Sequence, residues 1–282
     1  MAGDHPGRGF DCRRGRQAAG RAGGALSPMT PLVLLTRPRA QSEAMLGAVK
    51  ARGWEALVWP LKAIEPPSNP APAEAALRDL QPGDTLFFGS ANAAEGWVGK
   101  AKRLGIAPFS KGVEVWCVGG ATARALAAHG CQPTLIPEQA NSEGVWDQAL
   151  REGRLDPPRR MILPRGEHGR EWLGEQLTAR GWQVLPVAVY RVVDVRPDMG
   201  ALERVLSPGR PVAALLFQAS AVAPAVEALS AVAVPVCWGA LSEPVARALR
   251  ERGIEPFQGA DHRADALLDA LMQCQGFGPS PH

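Results

Sequence analysis

The chain has 282 residues, of which 46% are hydrophobic, and its formal net charge is +3. That length is enough for one large domain or two small ones with real hydrophobic cores. Five arginines and two aspartates fall within residues 1–28, so basic and acidic side chains balance at 26 each from Met29 onward. A balanced surface has no general attraction for nucleic acid or anionic membranes, and we expect neither as a partner.

The first segment of the chain differs from the rest in composition. Residues 1–28 hold seven glycines and show no regular apolar spacing. Such a segment buries too little apolar surface to offset the entropy of an ordered chain. We therefore expect a disordered leader over residues 1–29, and we hypothesise that Met29 is the natural start. We also expect residues 276–282 to form a disordered tail.

From residue 31, short apolar runs alternate with longer amphipathic stretches, which is typical of parallel sheets covered by helices. The predicted strands are Leu32–Leu35, Ala56–Trp59, Thr85–Phe88, Glu114–Val118, Pro133–Ile136, Met161–Leu163, Gln183–Val189, Val212–Phe217, Val234–Trp238 and Glu255–Gln258. The predicted helices are Ala40–Arg52, Ala91–Arg103, Thr122–His129, Ser142–Glu152, Gly169–Arg180, Ala219–Leu229, Glu243–Arg252 and Arg263–Gln273. Ten strands are many for one sheet, so we expect two smaller sheets.

The most apolar region, residues 211–241, carries a single charge at Glu227. Pro224, Pro235 and polar residues interrupt it, and its pieces fit strand, helix and strand better than an apolar helix that spans a membrane. We assign it to a buried core.

An internal repeat supports two sheets. The segment GDTLFFGSANAAEGW (Gly83–Trp97) precedes VWCVGGATARALAAHG (Val115–Gly130), and VAALLFQASAVAPAV (Val212–Val226) precedes VPVCWGALSEPVARALRERG (Val234–Gly253). Each half gives strand, small polar turn, helix, strand, glycine turn and helix, so we predict two copies of one α/β unit.

The second copy departs from the first at one position. Counting forward from Gly239 places Ser242 at the position of Thr122, whereas counting back from Gly253 places Val245 there. Both alignments stay open at the level of sequence.

Several catalytic signatures are missing from the sequence. It contains no GxSxG, GxxxxGK[ST], HExxH or GxGxxG motif, and its five histidines do not cluster at ligand spacing. Its five cysteines are scattered and form no CxxC pair, which indicates a reducing compartment rather than a disulfide framework. Metal, nucleotide and covalent mechanisms therefore lack sequence support.

Small polar residues recur where predicted strands turn into helices: Ser90, Asn92, Thr122, Ser142, Ser220 and Ser242. Helix capping explains each of them, because a side-chain oxygen there accepts a free N–H of the first turn. These turns also lie at the carboxyl ends of the strands, where doubly wound sheets bind ligands and helix N-termini attract anions. The Gly119-Gly120 turn, which Thr122 follows, is therefore a candidate anion site, with Thr122 as the expected cap of the next helix.

The stretch LPRGEHGREWLGEQLTARGWQVLPVAVYRV, Leu163 to Val192, is more particular. Arg165 and Arg170 flank its glycine-rich turn and can pair with carboxylates as planar forks, although surface arginines often make no specific contact. Tyr190, the only tyrosine of the chain, follows at the end of a strand, where a tyrosine also packs as an ordinary edge residue.

Together these motifs resemble the uroporphyrinogen-III synthase family along residues 30–274. The matching motifs are TRP at Thr36–Pro38, S-x-N at Ser90 and Asn92, VGxxTAxAL at Val118–Leu126, SEG at Ser142–Gly144 and the RGExGRE-to-Tyr run at Arg165–Tyr190. Their order and spacing over the whole chain are more specific than any one motif.

The resemblance implies an α/β fold with two parallel-sheet, flavodoxin-like domains, a two-stranded linker and a cleft between them. Residues 30–65 with 191–275 would form one domain and 66–190 the other, linked by Pro60–Pro66 and Val189–Arg191. The implied reaction is a cyclisation of hydroxymethylbilane to uroporphyrinogen III with loss of water and inversion of ring D, in tetrapyrrole biosynthesis. It implies no cofactor and no metal.

The resemblance also implies roles and partners. Tyr190 would assist departure of the hydroxyl, and the residues implied to bind substrate are Thr36, Arg37, Ser90, Asn92, Gly119, Gly120, Thr122, Ser142, Arg165 and Ser220. We expect a cytoplasmic monomer that binds a linear tetrapyrrole and makes transient contact with hydroxymethylbilane synthase. The alternatives are a two-lobed, non-catalytic sensor of a small carboxylate and a nucleotide-dependent transferase.

Overall fold

The computed structural model describes residues 30–232, 234–259 and 264–278. Its strands in chain order are β1 (Leu32–Leu35), β2 (Glu55–Val58), β3 (Lys62–Glu65), β4 (Thr85–Phe88), β5 (Glu114–Cys117), β6 (Arg160–Gly166), β7 (Gln183–Asp194), β8 (Val212–Leu216), β9 (Val236–Ala240) and β10 (Phe257–Gln258). Its α-helices are α1 (Arg39–Ala51), α2 (Ala71–Arg78), α3 (Ala91–Leu104), α4 (Gly120–Ala127), α5 (Ser142–Arg151), α6 (Trp172–Ala179), α7 (Met199–Val205), α8 (Val222–Ser230), α9 (Glu243–Arg250) and α10 (Ala264–Leu271).

The described residues form two compact units. Unit 1 consists of those up to Ala63 together with those from Asp194 onward, and unit 2 is Ile64–Val193. Both boundaries lie close to the linkers expected from the sequence. The two predicted linkers belong to strands, β3 and the end of β7, which are neighbours in one sheet.

Each unit contains a five-stranded sheet. The order is β10-β9-β8-β1-β2 in the first sheet and β3-β7-β6-β4-β5 in the second. Every strand pair of the first sheet is parallel, as are β4 with β5, β4 with β6 and β6 with β7 in the second. Numbered along the chain, the five strands of unit 1 lie side by side in the order 2-1-3-4-5, which is the flavodoxin-like order. The prediction of two parallel α/β sheets is confirmed.

Central strands are buried on both faces. The four side chains of β1 are all at most 1% exposed, and β4 and β8 are buried along their whole length. Parallel strands covered by helices on both sides require such continuous apolar runs. This is why the sequence predicts the bounds of β1 and β4 correctly.

Some elements differ from the sequence-based expectation. The predicted strand Pro133–Ile136 forms only a single bridge, between Leu135 and Trp116. Helices α2 and α7 were not expected. Strand β3 is absent from the strands predicted by apolar pattern, but it lies within Pro60–Pro66, which the family resemblance implied to be a linker strand. The first turn of α2 contains Pro72, which is tolerated because the first N–H groups of a helix have no intrahelical partner.

The two chain ends also bear on the expectations. The expected leader, residues 1–29, lies outside the described residues. Of the expected tail, residues 276–278 are described, and Phe277 is 1% exposed and packs edge-on against Trp54 with ring centroids 5.3 Å apart. The packed chain therefore extends at least to Phe277, because this aromatic ring completes the core of unit 1 beside α10.

A pair of glycine substitutions tests the packing of unit 2. A methyl group added at Gly144 in α5 would lie 2.1 Å from the carbonyl oxygen of Gln139, so the backbone must move. We expect Gly144→Ala to lower the free energy of unfolding by about 2 kcal/mol. Gly47→Ala is the matched control, because that position in α1 has nothing within 4 Å. The control should stabilise by about 0.5–1 kcal/mol through helix propensity. Thermal denaturation followed by circular dichroism measures both, and equal midpoints for the two variants would contradict this packing.

Candidate functional site

Both sheets have a point where the strand order reverses. In unit 1 it lies between β1 and β8, because β1 connects to β2 on one side while β9 and β10 follow on the other. In unit 2 it lies between β4 and β6. Open parallel sheets bind ligands at the carboxyl ends of the strands beside such a point. Residues that follow β1, β8, β4 and β6 are therefore the first candidates.

In unit 2, two predicted site residues come together. Ser90, directly after Gly89 at the end of β4, lies with its Oγ 3.3 Å from the phenol oxygen of Tyr190 on β7. The same Ser90 oxygen accepts the backbone N–H of Ala93 at 3.2 Å and so caps α3. Both side chains are half-buried. The hydroxyl pair is thus fixed at one end by a helix cap and at the other by a strand.

The glycine turn before α4 is built differently from the prediction. Gly119, not Thr122, is the N-cap, and α4 has no side-chain cap. Thr122 is the third helical residue and is 2% exposed, so its predicted capping role is wrong. A methyl group at Gly119 would lie 2.9 Å from Cβ of Ala140, so this glycine makes room for the next loop. Gly120 is exposed at the uncapped end of the helix.

The start of α5 also differs in detail. Asn141 caps this helix, since its Oδ1 accepts the N–H of Gly144 at 2.7 Å, and Ser142 is the first helical residue. Glu143 pairs with Arg170 at 2.7 Å, and this hydrogen bond lowers the pKa of Glu143. The hydroxyl of Ser142 is therefore not needed for capping.

Arg165 binds its own loop. Its guanidinium donates to the carbonyl oxygens of Gly166 and Gly169 and pairs with Glu171 at 3.3 Å. These bonds hold the turn that follows β6. The sequence suggested that Arg165 binds a substrate carboxylate directly. In the structure its guanidinium bonds to this loop, so Arg165 orders the turn.

Sequence reasoning missed a polar cluster next to Tyr190. The backbone N–H of Glu167 donates to the Tyr190 carbonyl at 3.0 Å, and the Glu167 carboxylate accepts the N–H of Ser68. That backbone hydrogen bond lowers the pKa of Glu167. Arg191 donates to Ser68 Oγ at 3.1 Å and to Glu65 at 2.9 Å. The RGE part of the motif was the available signal, because its glutamate directly follows the strand end.

In unit 1, Thr36 has a structural hydrogen bond. It is 4% exposed, and its hydroxyl donates to the Leu215 carbonyl oxygen at 2.7 Å. This bond ties the end of β1 to β8 at the switch point. The hydroxyl therefore stabilises the turn that carries Arg37.

Arg37 is the most unusual charge of unit 1. Its guanidinium carbon lies 4.3 Å from the ring centroid of Phe217, which follows β8. Burial lowers the pKa of Arg37. Within the ranges that the structure describes, no carboxylate pairs with it, whereas the largely buried Arg210 pairs with Glu55 at 2.7 Å. A half-buried guanidinium that stacks on an aromatic ring, and to which the described residues offer no carboxylate, is suited to bind an anion of a ligand.

The remaining serines of unit 1 occupy turns. Ser220 is exposed in a 3-10 turn, Ala219–Ala221, ahead of α8. Ser242 is the N-cap of α9 without a side-chain cap bond, and Val245, 1% exposed, is the third helical residue. Val245 therefore matches Thr122 in its helix position, and Ser242 matches Gly119.

The described residues also bear on three other possibilities: a thiol nucleophile, a metal site and a membrane-spanning helix. Cys117 is buried and burial raises the pKa of its thiol, which disfavours a nucleophilic thiolate. Among the described residues, no group of three or more His, Cys, Asp or Glu side chains could hold a metal ion. Within the same ranges, no helix combines the length and apolar character needed to cross a membrane.

Comparison with known proteins decides the family. The family described as Uroporphyrinogen-III synthase HemD matches residues 43–275. The chain belongs to the uroporphyrinogen-III synthase family. A curated relative, the Uroporphyrinogen-III synthase of Synechococcus elongatus, is 30% identical over 166 residues. The match covers 56% of this chain and spans 59% of that relative's length.

Two solved structures share the fold. A mutant uroporphyrinogen III synthase from Thermus thermophilus has a TM-score of 0.53 and 22% identity, covering 86% of this chain and 98% of that one. Uroporphyrinogen-III synthetase from Helicobacter pylori has a TM-score of 0.53 and 13% identity, covering 86% and 99%. At these identities the likeness concerns the fold.

Two substitutions test which residues cap the helices of unit 2. Ser90→Ala removes a side-chain cap and should lower the free energy of unfolding by about 1 kcal/mol. Thr122→Val removes no cap, and a valine already fills the matching buried position of α9, so we expect a smaller loss than in Ser90→Ala, below about 1 kcal/mol. Chemical denaturation measures both values. A larger loss in Thr122→Val than in Ser90→Ala would contradict the assignment of the caps.

Proposed function

We propose that this chain converts hydroxymethylbilane to uroporphyrinogen III, with loss of water and inversion of the terminal ring D. Its place in the uroporphyrinogen-III synthase family over residues 43–275 supports the reaction. The observation that carries the proposal is the contact between Ser90 and Tyr190 beside the switch point of unit 2. The family gives no support to the alternative of a non-catalytic sensor.

The chemistry explains why binding and orientation are the main tasks. Departure of the hydroxyl from the linear tetrapyrrole gives a reactive azafulvene, which closes to the wrong isomer without enzyme. Ring closure at the substituted carbon, through a spiro intermediate, requires that the chain be held in one geometry. The substrate loses one hydroxyl and one ring hydrogen, and no electrons are transferred overall. We therefore propose that the reaction needs no cofactor.

Tyr190 is the proposed catalytic residue. The Ser90 oxygen accepts the Ala93 N–H, so the Ser90 hydroxyl hydrogen can point to the phenol oxygen of Tyr190. The phenol hydrogen is then available to the departing hydroxyl of the substrate, as in general acid catalysis. The pair thus orients one donor toward the leaving group.

The carboxylates of the substrate require separate contacts. The N-terminus of α4, which has no side-chain cap, presents the backbone N–H groups of its first turn, beginning with Gly120, and Arg37 offers the guanidinium that stacks on Phe217. Both favour anions. We propose that Asn92, Ser142 and Ser220 add polar contacts. The remaining residues shape the turns that bind substrate: Thr36, Gly119, Thr122 and Arg165.

We also propose how the protein works in the cell. Its substrate closes spontaneously to a wrong isomer, so a short transfer from hydroxymethylbilane synthase by transient contact would limit that loss. We propose that it does so as a cytoplasmic monomer.

The proposed reaction predicts which product isomer forms. Incubation with enzymatically generated hydroxymethylbilane should give isomer III in excess of isomer I, and chromatography separates the two. Heat-denatured protein is the control, and it should give isomer I at the spontaneous rate. The native protein behaving like this control would refute the proposed reaction.

The proposed role of Tyr190 is tested by removing its hydroxyl. Tyr190→Phe should lower kcat for isomer III by about 10²-fold. This is the lower end of the range for a lost proton donor, because the hydroxyl of the substrate also departs without enzyme. The fold should persist, since the variant loses one hydrogen bond worth about 1 kcal/mol. Thr178→Val is the matched control, because it removes an exposed hydroxyl that donates to the Gly174 carbonyl oxygen within α6. Equal turnover in Tyr190→Phe and the control would remove Tyr190 from the mechanism.

A further inference from the structure

The register between β6 and β7 changes next to Tyr190. Pairing runs without interruption from Arg160 with Gln183 to Arg165 with Ala188, and then Gly166 pairs with Tyr190. The pairing with β6 therefore skips Val189. One extra residue in a strand forms a bulge, and bulges redirect side chains, often beside active sites.

This register shift places the side chain of Tyr190 on the same side of the sheet as those of Val187 and Val189. Val187 and Val189 are both buried in the core cluster that includes side chains of α2 and α3, and Tyr190 packs against the same cluster. Consecutive residues of a regular strand point to opposite faces. The irregular register is thus what brings the side chain of Tyr190 to the α3 side, where Ser90 lies.

Gly166 leaves the space that the ring of Tyr190 needs. A methyl group at this buried glycine would lie 3.0 Å from Cε2 and Cζ of Tyr190 and 3.2 Å from its phenol oxygen. Carbon atoms in optimal contact are about 3.5–4.0 Å apart. Any larger residue at Gly166 would displace the ring or the turn after β6.

Gly96 allows α3, the helix that Ser90 caps, to lie close to β7. It lies in α3, the helix that Ser90 caps, and a methyl group there would lie 2.8 Å from the Val189 carbonyl oxygen. Both groups are backbone-bound and cannot rotate away. The absence of a side chain at Gly96 therefore lets α3 lie directly against β7, one residue before Tyr190.

We propose that Gly96 and Gly166 are positioning residues that together set the phenol of Tyr190 against Ser90. This inference rests on the proposed function for its catalytic consequence, but its geometric content stands alone. One glycine sets the distance between α3 and β7, and the other sets the place of the ring. Neither touches the reacting atoms.

The chain offers matched glycine controls. A methyl group at Gly99, also in α3, would lie 3.6 Å from the end of the Arg103 side chain, which can move. At Gly174 in α6 it would lie 3.5 Å from a methyl group of Val184, an ordinary contact. Substitution by alanine at these positions adds the same atom to a helix without a close contact to the backbone of β7. Val184 also belongs to β7, but it lies six residues before Tyr190 and its methyl group is at an ordinary distance.

The experiment uses the single tyrosine of the chain. Protein labelled with 3-fluorotyrosine gives one fluorine resonance, from Tyr190. We expect Gly96→Ala and Gly166→Ala to shift this resonance, whereas Gly99→Ala and Gly174→Ala leave it in place. In unlabelled protein, the first two variants should lower kcat for isomer III by about tenfold or more, with a smaller change in KM, because a displaced group costs transition-state stabilisation.

A double-mutant cycle separates positioning from general damage. In the Tyr190→Phe background, Gly96→Ala should cost less in kcat than in the wild type, because the donor it positions is already gone. Multiplicative losses would overturn the proposal, as would an unshifted fluorine resonance in both glycine variants. Unfolding of both variants while both controls fold would show that the glycines are structural, and would also overturn it.

The outcomes for the two proposals remain distinguishable. If the wild-type protein makes only isomer I, the proposed reaction fails, while the fluorine spectra still report the position of Tyr190. If the wild type makes isomer III but the glycine variants match their controls, the proposed reaction stands and the positioning role fails.

Discussion

The parallel alignment of β4, β6 and β7 is the constraint on which the candidate site of unit 2 depends. Parallel strands place their carboxyl ends at one edge, so Ser90, which follows β4, and Gly166, the last residue of β6, both lie at that edge. The extra residue in β7 then lets Tyr190 pair with Gly166 and contact Ser90. Each strand alone carries unremarkable residues, and the site exists only through their register.

Much of the fold could be predicted from the sequence, because its signal is local. Runs such as LVLL at Leu32–Leu35 and TLFF at Thr85–Phe88 are long and apolar enough to specify buried strands. The apolar pattern did not predict β3, because KAIE, Lys62–Glu65, is short and half-polar, and only the family resemblance implied a strand between Pro60 and Pro66. Helix α2 was missed because prolines at its start suggest a loop, although they suit a first turn.

The candidate site could be predicted only in part. Residue type correctly identified Ser90 as a cap, but the same rule misplaced the cap of α4, where Gly119 is the N-cap and Thr122 is buried. The stacking of Arg37 on Phe217 joins residues that lie far apart in the chain, and no local pattern indicates it. The bulge at Tyr190 leaves no mark in the alternation of β7, since the sequence does not show which residue lacks a partner.

The most direct test of the proposed site is the response of Tyr190 to bound tetrapyrrole. Protein labelled with 3-fluorotyrosine is titrated with uroporphyrinogen III under anaerobic conditions, while equilibrium dialysis measures binding independently. We predict that the single fluorine resonance moves and saturates together with binding. A resonance that stays unchanged while the tetrapyrrole binds would place the reaction elsewhere in the protein and contradict the role of the Ser90–Tyr190 pair.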